Sequence, residues 1–287
     1  MNRFHALALA AALYSSLSLA QPAAVVEGVQ MPVWLEREGK APEPLAPGME
    51  LKSGDRLRTG AGSRLLVKLS EGSVVKLGEN ARLQIAELLP TKETFKAALG
   101  VLEGAFRFTT ELVAKKRRRD ININVSQVTA GIRGTDLWGR SRSDNQIVCL
   151  IEGSIEVGAP NEAPVTMDKP LQFYQRTAGK TQPVAFVGKA QLDEWARETE
   201  IERGKGAARR GGKWRVELAS PDNQADALAV YTQVREAGYA ASILPAKEGD
   251  KLVYHVRVAH LPSKAEAEAL AGQLKGKYGV VEPRVGS

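Results

Sequence analysis

Four side chains in two matching runs give this sequence its most distinctive hydrogen-bonding pattern. Trp214-Arg215-Val216-Glu217-Leu218-Ala219 and Tyr254-His255-Val256-Arg257-Val258-Ala259 align position by position. Apolar and polar residues alternate in both, the period of a half-buried strand. Val216 and Leu218, with Tyr254, Val256 and Val258, are expected to face a core. Arg215, Glu217, His255 and Arg257 are expected on the opposite side, where Ala219 and Ala259 leave room for a ligand. A guanidinium offers five donors in a rigid fork, a carboxylate accepts, and an imidazole titrates near an unperturbed pKa of about 6.5. Such a set can hydrogen-bond a polar ligand, and its charged members make the stronger bonds. Trp214 and Tyr254 have core parity and read as packing.

The same inventory argues against catalysis. The three histidines are His5, His255 and His260. The last two lie on or just after one strand, without a partner at metal spacing. No nucleophile elbow is present, and no motif selects a carboxylate pair among the 33 acids. Cys149 is the only cysteine, so no intrachain disulfide forms. It sits in the apolar run Gln146–Ile151 and reads as a buried, inert thiol. The sequence thus predicts a binding protein without enzyme activity, metal or cofactor.

The elements that position the four side chains follow from periodicity. In residues 213–287 each run is followed by a helical pattern and a further strand, giving β-α-β twice. Ser220 and Pro221 suit the start of the first helix, and Gly238 its end. Ser263 and Glu266 form a capping-box pattern for the second, and Gly279 can end it. Strands are expected again over 239–245 and 280–285. The two halves fold into one four-stranded sheet with both helices on one face, a ferredoxin-like βαββαβ module expected to fold alone. The open face is then the binding face.

Upstream, residues 25–187 read as an all-β sandwich or roll. Alternation in Leu65–Leu69 and Val75–Leu77 is punctuated by Ser53-Gly54-Asp55, Glu71-Gly72-Ser73 and Gly78-Glu79-Asn80. Residues 159–187 supply closing strands. Residues 188–203 read as a helix, with Trp195 packing it onto the β domain. The glycine-rich segment 204–212 reads as a flexible basic linker.

Residues 1–20 read as a secretory signal, with Arg3, an apolar stretch from Ala6 to Leu13, and Ser18-Leu19-Ala20 before cleavage at Gln21. That stretch is too short to span a bilayer. The formal charge of +7 lies upstream of the module, which holds ten Lys/Arg against nine Asp/Glu. Part of the excess is Lys115–Arg119, read as a solvated hairpin; export removes nucleic acid as its partner, and contact with anionic envelope polymers or phospholipid head groups stays open.

The repeat resembles the SPOR family, small domains that bind peptidoglycan glycan strands. The resemblance covers about 75 residues. Here Glu217 stands where the family has Gln, Ala219 and Ala259 where it has Gly, and His255 where it has Arg. The resemblance implies that glycan contact runs through Arg215, Glu217, His255 and Arg257. Residues 27–158 resemble the FecR domain through Gly54-Asp55-Arg56-Leu57-Arg58-Thr59-Gly60, Glu71-Gly72-Ser73, Arg133-Gly134-Thr135 and Ile151–Val157. That family is known from iron-transport sensors in which a cytoplasmic segment controls a sigma factor. Here only the signal-like segment precedes the domain, so this role is not carried over. The combined expectation is a periplasmic, cell-envelope protein, with peptidoglycan as one partner and a second envelope protein on the FecR-like domain. The alternative is a signalling or scaffolding protein whose C-terminal module contacts protein.

Overall fold

The structure, a computed structural model, describes residues 22–110 and 118–287. The signal-like segment 1–20 and Lys115–Arg117 of the basic run lie outside the described residues. The chain forms a β-rich N-terminal region and a C-terminal module of one sheet and two helices.

Strands from Ala24–Gln30 to Ala208–Arg209 join in one hydrogen-bonded network. Its frame is three long strands, Thr94–Thr109, Val128–Ser141 and Asn145–Gly158. The first half of Thr94–Thr109 pairs with Arg82–Pro90 and, in parallel, with Arg118–Val125; its second half pairs with Val74–Leu77 and Val128–Ser141. A strand that changes neighbours halfway must bend, and bends of this kind join packed sheets at their corners. Gly153 sits at such a bend with φ of 94°, and a Cβ there would lie 2.4 Å from the Gly134 carbonyl oxygen. This close approach explains Gly153, while Gly134 of the other motif has open space around it and is favoured by its φ of 63°.

Alternation decides the core. In Arg118–Val125, Ile121, Ile123 and Val125 are buried while Asn122 and Asn124 are exposed. The run Ile147–Leu150 is buried throughout. Val148 and Leu150 join the main core, whereas Ile147 and Cys149 join Trp138 on the other face. A helix, Lys189–Arg197, covers that second face. Trp195 stacks on Trp138 with ring centroids 4.8 Å apart, and Phe173 meets Trp195 edge-on at 6.1 Å.

This helix is shorter than the expected 188–203. Beyond it, alternating acids reach back to the strands. Glu198 pairs with Arg140 at 2.8 Å, and Glu200 with Lys76 at 2.5 Å and Arg107 at 3.4 Å. Arg107 also clasps Asp136 through two bonds of 3.0 and 2.7 Å, which raise its pKa further against the cost of burial. Between these acids the chain runs as turns, with the N–H groups of Glu198, Thr199 and Glu200 donating to carbonyls three residues earlier at 3.1, 3.2 and 3.4 Å, a tightened last turn that ends the helix.

The C-terminal sheet has the order Ala241–Glu248, Lys251–Leu261, Trp214–Ala219, Arg284–Gly286, with every neighbour antiparallel. Helices Gln224–Glu236 and Lys264–Leu274 bury Val234, Leu270 and Leu274 in one core with Val216, Leu218, Val256 and Val258. The first helix starts later than the sequence suggests. Asn223, not Ser220, caps it by accepting the Asp226 N–H at 2.9 Å. Ser263 caps the second, accepting the Glu266 N–H at 3.2 Å. The expected return bond of the capping box is replaced. The Glu266 carboxylate, 7% exposed, accepts the backbone N–H groups of Gly204, Gly206 and Ala207 at 2.6, 2.7 and 3.0 Å.

The segment 204–212, expected to be a flexible linker, is therefore hydrogen-bonded on both sides. Past the carboxylate, Ala208 and Arg209 pair with Val29 and Gly28 of the β region. Glycine content signals freedom only when the amides lack partners, and here a distant acid supplies them. Other bonds join the two parts: Val33 N–H to the Gly238 carbonyl at 3.2 Å, and Trp34 Nε1 to the Glu236 carbonyl at 3.3 Å. Gly238 has φ of 87°, and a Cβ there would meet the Trp34 ring at 2.5 Å.

Candidate functional site

The open face of the C-terminal sheet is assembled by register. Glu217 lies opposite Arg257, Arg257 opposite Ser242, and His255 opposite Leu244. On the far side Glu217 lies opposite Arg284, and Arg215 opposite Gly286. Residues opposite one another share a face. Arg215, Glu217, His255 and Arg257 thus come together, away from Val216, Val256 and Val258 and their helices.

Ser242, Leu244 and Arg284 also belong to this face, outside the two repeated runs. The short strand Arg284–Gly286 is too brief for a period-2 signal. The parity of Ser242 and Leu244 was readable, but neither lies in the repeat. Leu244 is exposed to 43%, an apolar spot on a polar surface.

Ala219 departs from its expected outward parity. A bulge at Leu218 puts Ala219 opposite Val256, and it packs against the core. A second irregularity sets Ala259 and His260 against Arg215, between the pairs Val216 with Val258 and Trp214 with Leu261. Trp214 and Tyr254 pack against the core, as their parity requires.

The four polar groups differ in how far they are engaged. His255 Nδ1 lies 2.7 Å from Glu217 Oε2, and its Nε2 lies 3.4 Å from Glu248 Oε1. The Ser220 hydroxyl donates to Glu217 Oε1 at 3.0 Å. Both oxygens of Glu217 are therefore occupied, so its first role is to orient His255. Arg215 donates to the Ser287 carbonyl. Arg257 differs: its Nε is buried and has no hydrogen-bond partner among the described residues. A buried donor without an acceptor costs about 1–3 kcal/mol, so the fold leaves this guanidinium unsatisfied.

The distinctive residues of the β region serve structure. Asp55 is 3% exposed; it accepts Arg37 Nε at 2.7 Å and Nη2 at 3.0 Å, and the Lys52 N–H at 2.9 Å. Thr59 donates to the Gly78 carbonyl and accepts the Ala81 N–H, both at 2.7 Å. Glu71 accepts the Ser73 N–H at 2.7 Å. Arg119 of the basic run turns inward to the Glu71 carbonyl at 3.2 Å, so this member is not simply solvated. Burial pushes the Cys149 thiol up to about 12. Among the described residues no group of three His, Cys, Asp or Glu could hold a metal, and no helix is long and apolar enough to cross a membrane.

Two family models match the chain. One, described as FecR protein, matches residues 55–156; the other, described as SPOR domain, matches residues 211–282. No curated protein matches. Among solved structures, two crystal structures of a "putative anti-sigma factor" from Parabacteroides distasonis ATCC 8503 are similar at 13% identity and a TM-score of 0.41. One alignment covers 69% of this chain and 97% of that one, the other 76% and 89%.

Proposed function

From the premise that the chain carries an FecR domain followed by a SPOR domain, we propose a non-catalytic cell-envelope protein that binds peptidoglycan glycan strands. Contact runs through the open sheet face of the SPOR domain. The FecR domain is the interaction or signalling module and meets a second envelope protein. Both domain types are at home in the cell envelope, which supports the export and the periplasmic location that residues 1–20 lead one to expect. The strand order of the C-terminal sheet supports a ferredoxin-like arrangement, with helices on one face and ligand on the other.

The unpaired Arg257 guanidinium carries this reading. His255 and Glu217 hold each other, and Arg215 donates to the Ser287 carbonyl, so Arg257 is the group with donors to spare. Glycan strands present hydroxyl and acetamido oxygens in a long polar row, and a preformed fork is suited to them. Two of the four residues that differ from the SPOR pattern, Glu217 and His255, bond to each other at 2.7 Å.

Co-sedimentation with purified sacculi tests the reading. The full chain is expected in the pellet, and soluble glycan strands should release it. Arg257→Ala should weaken binding about tenfold or more, the equivalent of a charged hydrogen bond of about 1.5–3 kcal/mol. Its thermal midpoint should not fall below wild type, because the Nε has no internal bond to lose. Equal pelleting of the variant would place the glycan elsewhere.

A further inference from the structure

We propose that the glycan groove is composite: past Arg257 it continues into a cleft whose far wall belongs to the FecR side of the chain, and this cleft takes the next N-acetylated sugar of the strand. The proposal rests on the glycan reading above and adds a second domain to its site.

The cleft has a volume of about 250 Å3. On the SPOR side Ser242, Ala259 and His260 line it, together with Arg235 from the end of the first helix and the inward-facing Ala241 and Val258. Ser242 is the cross-strand partner of Arg257, and Ala259 follows Arg257 by two residues on the same strand. The cleft therefore begins where the open face ends. Across it stand Glu43, Ala46, Pro47 and Met49, from a part of the chain nearly 200 residues earlier.

That far wall is preformed. Residues 46–49 make a tight turn, with the Met49 N–H donating to the Ala46 carbonyl at 3.2 Å and the Ala46 N–H meeting Met49 Sδ at 3.1 Å. Pro47 and Gly48 at its centre suit a turn whose third residue needs positive φ. The two walls keep their spacing through the Val33 to Gly238 bond and the Ala240 N–H to Met31 Sδ contact at 3.3 Å. Little ordering is then left for a ligand to induce.

The lining matches an N-acetylated sugar. Ala46, Pro47, Met49 and Ala259 offer small apolar surfaces for an acetamido methyl and a ring face. Glu43, which also meets Arg37 at 3.4 Å, Ser242, His260 and Arg235, which also donates to the Ala241 carbonyl at 3.2 Å, offer acceptors and donors for hydroxyls and the amide. His260 has φ of 66°, uncommon outside glycine, at the irregularity opposite Arg215. Such bulges re-aim side chains at functional rims.

The test uses the full chain and soluble peptidoglycan glycan strands, with Kd as the readout. Ala46→Trp fills the cleft and leaves the open face untouched. A composite groove predicts about five- to tenfold weaker binding at an unchanged thermal midpoint. Glu43→Gln, isosteric and uncharged, should weaken binding about two- to fivefold, and it decides the matter alone if Ala46→Trp melts early. Wild-type affinity in these variants, with Arg257→Ala still weakened, overturns the composite groove and leaves the sheet-face reading in place. Wild-type affinity in Arg257→Ala overturns the sheet-face reading, and the composite groove falls with it.

Discussion

Arg257 and Cys149 show how one parity rule separates an open-face residue from a buried one. Both lie on strands with apolar neighbours, but Arg257 sits on a face that only one layer of helices leaves open. Cys149 sits where a sheet is covered on both sides, by the main core and by the Lys189–Arg197 helix. Burial stabilises the neutral thiol over the thiolate and pushes its pKa up to about 12. The thiol therefore stays protonated throughout neutral and mildly alkaline pH. Ellman's reagent should label Cys149 only after denaturation, at pH 8 and pH 9 alike; labelling of the native chain would mean that the covering helix does not hold. Glu217 is the residue where sequence and structure diverge most usefully. Alternation gives its face correctly, but alternation is blind to partners. The Ser220 hydroxyl, expected at a helix start, and the His255 imidazole occupy both its oxygens.

The two helix starts of the SPOR domain make the same point for elements. Their existence, their order and the face they cover were legible from the 3.6-residue period and from Ser263. Their boundaries depend on competition among nearby polar groups. Asn223 wins over Ser220 because Ser220 is drawn to Glu217. Glu266 looks like half of a capping box, yet its carboxylate serves amides some 60 residues away. No local pattern encodes that choice; it requires the FecR side to be folded beside the helix. The two substitutions should therefore differ in cost. Ser263→Ala loses one cap bond, about 1 kcal/mol. Glu266→Ala strands three amides, two of them in buried residues, and should cost at least about 3 kcal/mol. Chemical denaturation of both variants measures the difference, and equal costs would mean that the Glu266 bonds contribute nothing net.

For the molecule as a whole, the consequence is that the FecR and SPOR domains are joined by a bonded strap. The long strands, the glycine bends and the repeat all announce two domains. The strap was invisible because glycine-rich, basic composition resembles a tether, and its partners are distant in sequence. Trypsin offers Lys205, Arg209 and Arg210 as cleavage points within it. Limited proteolysis should spare them in the wild-type chain and cut there in Glu266→Ala, since an unbonded backbone is what a protease engages. Rapid wild-type cleavage in 204–212 would restore the tether. A fixed relation between the domains lets a glycan held on one surface orient whatever the other surface meets. That account depends first on the glycan being held on the open sheet face. The direct measurement is a titration of the 15N-labelled full chain with soluble peptidoglycan glycan strands. Amide shifts are expected to cluster at Arg215, Glu217, Ser242, Leu244, His255, Arg257 and Arg284. Shifts confined to the helices Gln224–Glu236 and Lys264–Leu274, or no shifts at saturating glycan, would contradict it.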